Sequence, residues 1–193
     1  MDPLDFWAAN ELYLAESSLG LKKEATRELN GLEDRMRGVA HSYLEMAVDY
    51  GNCGLYDEAV DVLSRLVDSN KGEARVYPLV YYYLGYFWEK KGDSEKALKY
   101  YRLGGKMPTD YCFPFQLESI DVLLSAVRNV PEDARARYYL GNLLYDLQPG
   151  NAIEEWEKST GLDDTFAIAH RNLGFAYARI ENDVPKAIAS LEL

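Results

Sequence analysis

The sequence has few of the residues on which enzymes and metal sites depend most often, since only two of its 193 residues are histidine and two are cysteine. Cys53 and Cys112 lie far apart and form no CxxC motif, which favours reduced thiols over a disulfide framework. Basic residues are also scarce, because 21 Lys and Arg stand against 32 Asp and Glu, for a formal net charge of −11. This charge argues against a nucleic-acid partner and against binding to an anionic membrane surface.

The sequence lacks a run of about 18 apolar residues, so we expect no transmembrane helix. The first residues include Asp2, Asp5 and Glu11 but no basic leading segment, which is unlike a signal peptide. We therefore expect a cytoplasmic protein. The HExxH, GxSxG, GxGxxG and Walker motifs are absent, and we interpret His41 and His170 as packed or surface residues. We accordingly predict no enzyme activity, no catalytic residue, no metal site and no cofactor.

The sequence does contain an internal repeat. Apolar residues make up 48% of the chain, which is enough for a core. A small residue followed four positions later by a bulky one recurs at intervals of 34, 38, 55 and 35 residues. These pairs are Ala25 and Leu29, Ala59 and Leu63, Ala97 and Tyr101, Ala152 and Trp156, and Ala187 and Leu191. The long interval splits into 22 and 33 when Ser119, followed by Leu123, is counted as a sixth pair.

A second marker lies upstream of these pairs. Leu-Gly occurs with glycine at positions 85, 141 and 174, and Met46-Ala47 fills the equivalent place before Ala59. Small residues allow two helices to cross closely, while bulky residues one turn away fill the flanking grooves. The spacing therefore predicts helical hairpins that repeat every 34 residues or so.

The third repeat shows the fullest pattern, with Tyr81, Leu84, Gly85, Trp88, Ala97, Tyr101 and Pro108. This pattern resembles the tetratricopeptide repeat (TPR). The resemblance implies an all-α fold class, an α-α superhelix made as a solenoid of stacked antiparallel helix hairpins. It implies a single array over residues 1–193. The expected units span approximately 4–35, 38–70, 76–106, 132–163 and 165–193, with a half-unit at 114–131.

The half-unit follows a segment that breaks the repeat. Residues 105–117 contain Pro108 and Pro114, which prevent a long helix, whereas residues 115–129 are expected to form one. The segment also contains Tyr111, Cys112, Phe113 and Phe115, an unusual apolar density for a solvated linker. Two interpretations follow: these side chains fill the gap left by the missing helix, or they form an adhesive tip beside a ligand groove.

In the TPR family the first helix of each hairpin lines the concave surface, so the resemblance implies a peptide-binding groove. Its expected residues are Tyr82, Tyr86, Arg135, Tyr138, Asn142, Tyr145, Arg171, Phe175 and Arg179. Tyrosine and arginine often anchor interfaces, and an asparagine amide can pair with a peptide backbone. A simpler interpretation is that Tyr82, Tyr86 and Tyr138 only pack against neighbouring helices. The Lys/Asn/Lys/Arg clamp of some family members is incomplete here.

We therefore predict a non-catalytic scaffold that binds a protein or peptide segment in the concave groove. The alternative is a structural or oligomerisation array that is accessory to a larger protein, because some bacterial multidomain proteins carry similar arrays behind a carbohydrate-enzyme-like domain. The last helix supports this alternative, since it ends on Ile188, Leu191 and Leu193 without a polar capping helix. Such ends predict a longer protein or a homodimer formed through the ends of the array.

Overall fold

A computed structural model describes residues 5–70 and 76–192. Within these ranges all regular secondary structure is helical, with eleven α-helices, one π turn and no β-strand. The predicted all-α fold class is therefore confirmed. Asp2 and Leu193 lie outside the described residues. The chain divides into two compact units, Met1–Val76 and Tyr77–Leu193, which are described separately.

The first unit contains two helical hairpins. Its helices are α1 (Phe6–Ser18), α2 (Lys22–Met36), α3 (Ala40–Asn52) and α4 (Tyr56–Ser69). Helices α1 and α2 pack together, as do α3 and α4, and their three-residue connections require the helices of each pair to be antiparallel.

A buried polar contact joins the two hairpins of the first unit. The Trp7 ring stacks on the Tyr50 ring at a centroid distance of 4.1 Å. Beside them the buried Asn10 amide donates to the Tyr50 hydroxyl at 2.8 Å and accepts from Arg65 at 2.7 Å. The Asn10 side chain on α1 thereby forms hydrogen bonds with Tyr50 on α3 and with Arg65 on α4, and buried polar groups need such partners.

The second unit contains three hairpins and one unpaired helix. Its helices are α5 (Pro78–Lys90), α6 (Ser94–Gly104), α7 (Glu118–Asn129), α8 (Ala134–Leu144), α9 (Pro149–Leu162), α10 (Ala167–Ala176) and α11 (Val184–Leu191), with the π turn at Tyr177–Glu181. Helix α7 packs against both α5 and α8, so this single helix occupies the place between two complete hairpins.

Aspartates set several helix starts in the second unit. Asp93 accepts from the Lys96 N–H at 3.0 Å, and Asp183 does the same for the Lys186 N–H at 3.0 Å. Each satisfies a backbone donor that has no partner within its helix. Pro149 begins α9 rather than forming the turn before it, which suits a residue with no N–H to donate.

The Leu-Gly markers lie where the two helices of a hairpin cross. A Cβ atom on Gly85 would lie 2.5 Å from the Tyr101 ring, and one on Gly174 would lie 2.5 Å from Leu191 Cγ. A Cβ atom on Gly141 would likewise lie 2.6 Å from Trp156 Cδ1. Each glycine thus faces the bulky residue of its own repeat pair, which explains why the two markers occur together in the sequence.

A carboxylate connects helices α5, α6 and α7. Glu89 accepts hydrogen bonds from the Tyr101 hydroxyl at 2.8 Å, from Asn129 at 3.1 Å, from Arg128 at 3.1 Å and from the Ser125 hydroxyl. Burial raises the pKa of Glu89, but the hydrogen bonds from Ser125 and Tyr101 and the charge of Arg128 outweigh it, so the pKa lies below its ordinary value. We call these five residues the Glu89 cluster.

Candidate functional site

A cavity of about 420 Å³ opens on the second unit between the 105–117 segment and helices α8, α9 and α10. We call it the aromatic pocket. Its lining residues are Phe113, Pro114, Tyr138, Asn142, Tyr145, Trp156, Arg171, Asn172, Phe175 and Arg179.

Six of the nine residues expected in a groove line this pocket. They are Tyr138, Asn142, Tyr145, Arg171, Phe175 and Arg179. The repeat brings them together because α8 and α10 are first helices of adjacent hairpins and present equivalent faces on the same side.

Tyr82 departs from its expected position in the groove. It is fully buried, and its hydroxyl donates to Asp133 Oδ2 at 2.9 Å. No ligand can reach this side chain without opening the core, so the simpler interpretation, that Tyr82 packs against neighbouring helices, describes it. Tyr86 is half-buried on α5 and does not line the pocket. Its ring contacts the Lys90 ammonium group at 4.9 Å from the ring centroid.

Arg135 also lies outside the aromatic pocket. It lines a separate polar cavity together with Lys106 and Asp163, and its Nη1 lies 3.9 Å from Asp163 Oδ2. Its guanidinium lies 5.5 Å from the centroid of the Phe166 ring, which in turn packs against Tyr138 at 5.0 Å. The three expected arginines therefore divide into two that line the pocket and one that does not.

A chain of hydrogen bonds fixes the polar side chains of the pocket. The Trp156 indole N–H can only donate, so the atom of Asn142 that lies 3.1 Å from it must be the carbonyl oxygen. Asn172 donates its amide to the same oxygen at 2.9 Å, and its own oxygen accepts from Arg171 at 3.2 Å. Because Trp156 and Asn172 both donate to the Asn142 oxygen, the orientation of the Asn142 amide is set, and its NH2 group is the part that can donate to other groups.

The Tyr138 side chain forms the buried floor beside this chain of hydrogen bonds. Only 2% of its surface is exposed. Burial raises the pKa of Tyr138, although a hydrogen bond from Asn142 and the charge of Arg171 act in the opposite direction. The hydroxyl therefore stays protonated at neutral pH and can serve as a hydrogen-bond partner but not as a base.

The two pocket arginines have no carboxylate partner among the described residues. Arg171 bonds only to Asn172, and the Arg179 guanidinium lies 5.7 Å from the centroid of the Phe175 ring. Every acidic residue that pairs with an arginine elsewhere in the described chain lies outside the pocket lining. The pocket is thus locally basic on a chain whose formal net charge is −11.

The 105–117 segment contacts α5 and α8 through Cys112 and also lines the pocket. Cys112 is buried, and burial raises its pKa to about 11, so the thiol stays neutral and unreactive. Phe113 is 65% exposed and forms one wall of the pocket together with Pro114. A short segment held by a buried cysteine therefore exposes the adjacent phenylalanine.

Two residues of the pocket lining, Trp156 and Asn172, could not be predicted as such from the sequence. Trp156 was expected only as the bulky partner of Ala152, yet one edge of its buried ring reaches the pocket. Asn172 follows an expected residue, but no feature of the repeat pattern distinguishes it.

No group of three His, Cys, Asp or Glu residues within residues 5–70 and 76–192 is placed to hold a metal ion. His170 is buried, with Nε2 3.1 Å from the Asp164 carbonyl oxygen. Across the part of the chain that the structure describes, none of the helices is both long and apolar enough to pass through a bilayer.

Successive antiparallel hairpins with glycine or alanine at their crossings define a helical-hairpin repeat protein. In this one, an open pocket lies on α8 and α10, the first helices of two adjacent hairpins. The tetratricopeptide repeat is one such repeat, and its family model matches residues 44–105. The resemblance seen in the sequence is thereby confirmed, over a stretch that covers less than half of the chain. No curated protein matches the sequence.

Several solved structures are similar to the chain. Residues 41 to the end of MamA from Desulfovibrio magneticus RS-1 are 23% identical with a TM-score of 0.41, and the match covers 100% of this chain and 93% of that one. A second MamA structure is 19% identical with a TM-score of 0.41, covering 94% and 91%. YrrB, described as a TPR protein with an unusual peptide-binding site, is 20% identical with a TM-score of 0.38, covering 93% and 79%.

Proposed function

We propose that this chain is a non-catalytic scaffold that binds an extended peptide segment of a partner protein in the aromatic pocket. Tetratricopeptide-repeat proteins are protein-interaction scaffolds as a class, and the proposal adds the place of binding. The observation that supports it most directly is the convergence of half-exposed aromatic rings and two unpaired arginines on one opening of the second unit.

The chemistry of the pocket suits a peptide. Phe113 and Phe175 are 65% and 49% exposed, so a partner side chain placed between them would remove apolar surface from water. The Asn142 NH2 group donates one hydrogen to the Tyr138 hydroxyl, and its second hydrogen can be donated to a peptide carbonyl. Tyrosine, tryptophan and arginine are the side chains most enriched at the centres of protein interfaces.

The test begins with a library of linear peptides selected against the whole chain. We expect Phe113→Ala and Phe175→Ala each to weaken the selected peptides about tenfold, because each removes a wall of the pocket. Phe115→Ala is the matched control, since Phe115 is also 65% exposed in the same segment but lies outside the pocket lining. Equal binding by all three variants and the unmodified chain would exclude the pocket as the peptide site.

A second candidate function is that of a structural array that associates through its ends. The observation that favours it is an exposed apolar face on the last hairpin, where Val184 and Ile188 are 59% and 52% exposed. Exposed apolar faces of this kind often mark protein contacts. Peptide binding in the pocket and association through α11 use different surfaces and are separately testable.

A further inference from the structure

We propose that the aromatic pocket selects an extended acidic peptide in which one apolar side chain is flanked, two residues away on each side, by a carboxylate. Arg171 and Arg179 would each bind one carboxylate, and Phe175 with Phe113 would bind the apolar side chain. This inference rests on the proposed function and specifies the chemistry of its ligand.

The first step is the spacing of three side chains. Arg171, Phe175 and Arg179 follow one another at intervals of four residues along α10 and the π turn, and all three line the pocket. At 1.5 Å per residue, the two arginine Cα atoms lie about 12 Å apart along the helix, with the phenylalanine midway between them. The pocket wall is therefore a stripe of positive, apolar and positive side chains.

The π turn keeps this stripe on one face. In a regular α-helix, a residue eight positions on would point about 80° away from the first around the axis. A π turn closes its hydrogen bonds one residue later and so rotates less per residue. The π turn begins at Tyr177, between Phe175 and Arg179, and therefore returns Arg179 towards the face that Arg171 occupies.

An extended peptide offers the matching pattern. Alternate side chains of an extended chain point to the same side, so residues i, i+2 and i+4 face one surface. Four residues at about 3.3 Å each span about 13 Å, close to the distance along the helix between the two arginines. A ligand with carboxylates at i and i+4 and an apolar residue at i+2 thus matches all three positions of the stripe.

The charges and contacts of the arginines favour an anionic ligand. Neither guanidinium has an ion pair among the described residues, and no acidic residue lines the pocket. The Arg171 guanidinium is held by Asn172, and that of Arg179 lies over the Phe175 ring. Each arginine is thereby restrained before a ligand binds, which lowers the entropy cost of forming a charged hydrogen bond.

The experiment compares two labelled peptides of identical composition on the whole chain. The first contains Glu-Ser-Leu-Ser-Glu between glycine-serine flanks, and the second contains Ser-Glu-Leu-Glu-Ser, which turns both carboxylates to the side opposite leucine. We expect fluorescence anisotropy to show at least about tenfold tighter binding of the first peptide. Arg171→Gln and Arg179→Gln should each weaken it about fivefold, and the double variant should remove the difference between the two peptides.

Matched variants separate local charge from overall charge. Arg102→Gln removes one positive charge outside the pocket and should leave both affinities unchanged, while Arg171→Lys should restore part of the loss. Equal affinity of the two peptides, or indifference of the first peptide to both arginine variants, would overturn the inference. If library-selected peptides still lost affinity with Phe113→Ala in that case, the pocket would remain the binding site. If they did not, the proposed function would fail as well.

Discussion

At the scale of single residues, the repeat depends on close contacts between a glycine and the ring or side chain that faces it. Gly85 leaves room for Tyr101, whose ring is fully buried and whose hydroxyl is bonded to Glu89. The ring therefore cannot move away freely if a methyl group is added opposite it. Interiors are packed too densely to absorb such an addition without strain.

Gly85→Ala should destabilise the protein. The added Cβ would lie 2.5 Å from the Tyr101 ring, and overpacking of this kind costs about 1–3 kcal/mol, against a gain in helix propensity of up to about 1 kcal/mol. Gly161→Ala is the matched control, because Gly161 is exposed in α9 with nothing within 4 Å of an added Cβ. Urea unfolding should show the control unchanged or more stable, and equal stability of the two variants would contradict the close crossing.

At the scale of helices, the Glu89 cluster holds α7 against the preceding hairpin. Four donors from α6 and α7 meet one carboxylate on α5, so the ionised form is stabilised by contacts that only the folded state provides. Because the pKa of Glu89 is lowered on folding, its contribution is present above the ordinary pKa of glutamate. That contribution is lost as the pH falls through the lowered value.

Glu89→Gln should lower the free energy of unfolding by about 1–3 kcal/mol at neutral pH, since hydrogen bonds to a charged acceptor are replaced by weaker ones. The difference between this variant and the unmodified chain should be constant above about pH 5 and should shrink at more acidic pH. Denaturant titrations at several pH values measure it. Glu154→Gln, at a carboxylate that is 67% exposed, is the control and should show little effect at any pH. A pH-independent difference for Glu89→Gln would contradict the role of its charge.

The break in the repeat at residues 105–117 limits what the sequence can predict about side-chain positions. The repeat register groups Tyr138 and Asn142 of α8 with Arg171 and Phe175 of α10, because side chains at equivalent positions of regular hairpins point the same way, although Arg135 of α8 lies outside the pocket. Tyr82 lies before the half-unit, where one helix is missing and the start of α8 approaches α5 and α6 directly. A Cβ atom on Gly104 would lie 3.0 Å from the Tyr82 ring, and Asp133 accepts its hydroxyl. The register cannot predict that Gly104 and Asp133 cover Tyr82, because these contacts depend on how the chain packs where the repeat is broken.

At the scale of the molecule, the last hairpin presents apolar residues at intervals of four. Ile180, Val184 and Ile188 are all exposed, whereas Ile153, the equivalent of Ile188 in the preceding hairpin, is buried. A surface of this kind promotes association when nothing covers it.

The chain should therefore associate in a concentration-dependent way, and Ile188→Glu should reduce this association. Light scattering over about two decades of protein concentration measures it. Leu147→Glu is the control, because Leu147 is 79% exposed and lies outside the last hairpin. A mass equal to one chain at all concentrations would contradict this prediction and the second candidate function with it.

The π turn at Tyr177–Glu181 makes the ligand preference of the pocket sensitive to insertion and deletion. Loss of Ile180 or Glu181 would convert the turn into a regular α-helix and leave Arg179 about 80° around the helix axis from Arg171, while α10 itself would remain in place. Related proteins can therefore change from two carboxylate-binding arginines in the pocket to one without replacing any side chain that touches the ligand. In an alignment of relatives, a single-residue gap at this turn would be a better guide to altered specificity than the identities of the pocket residues.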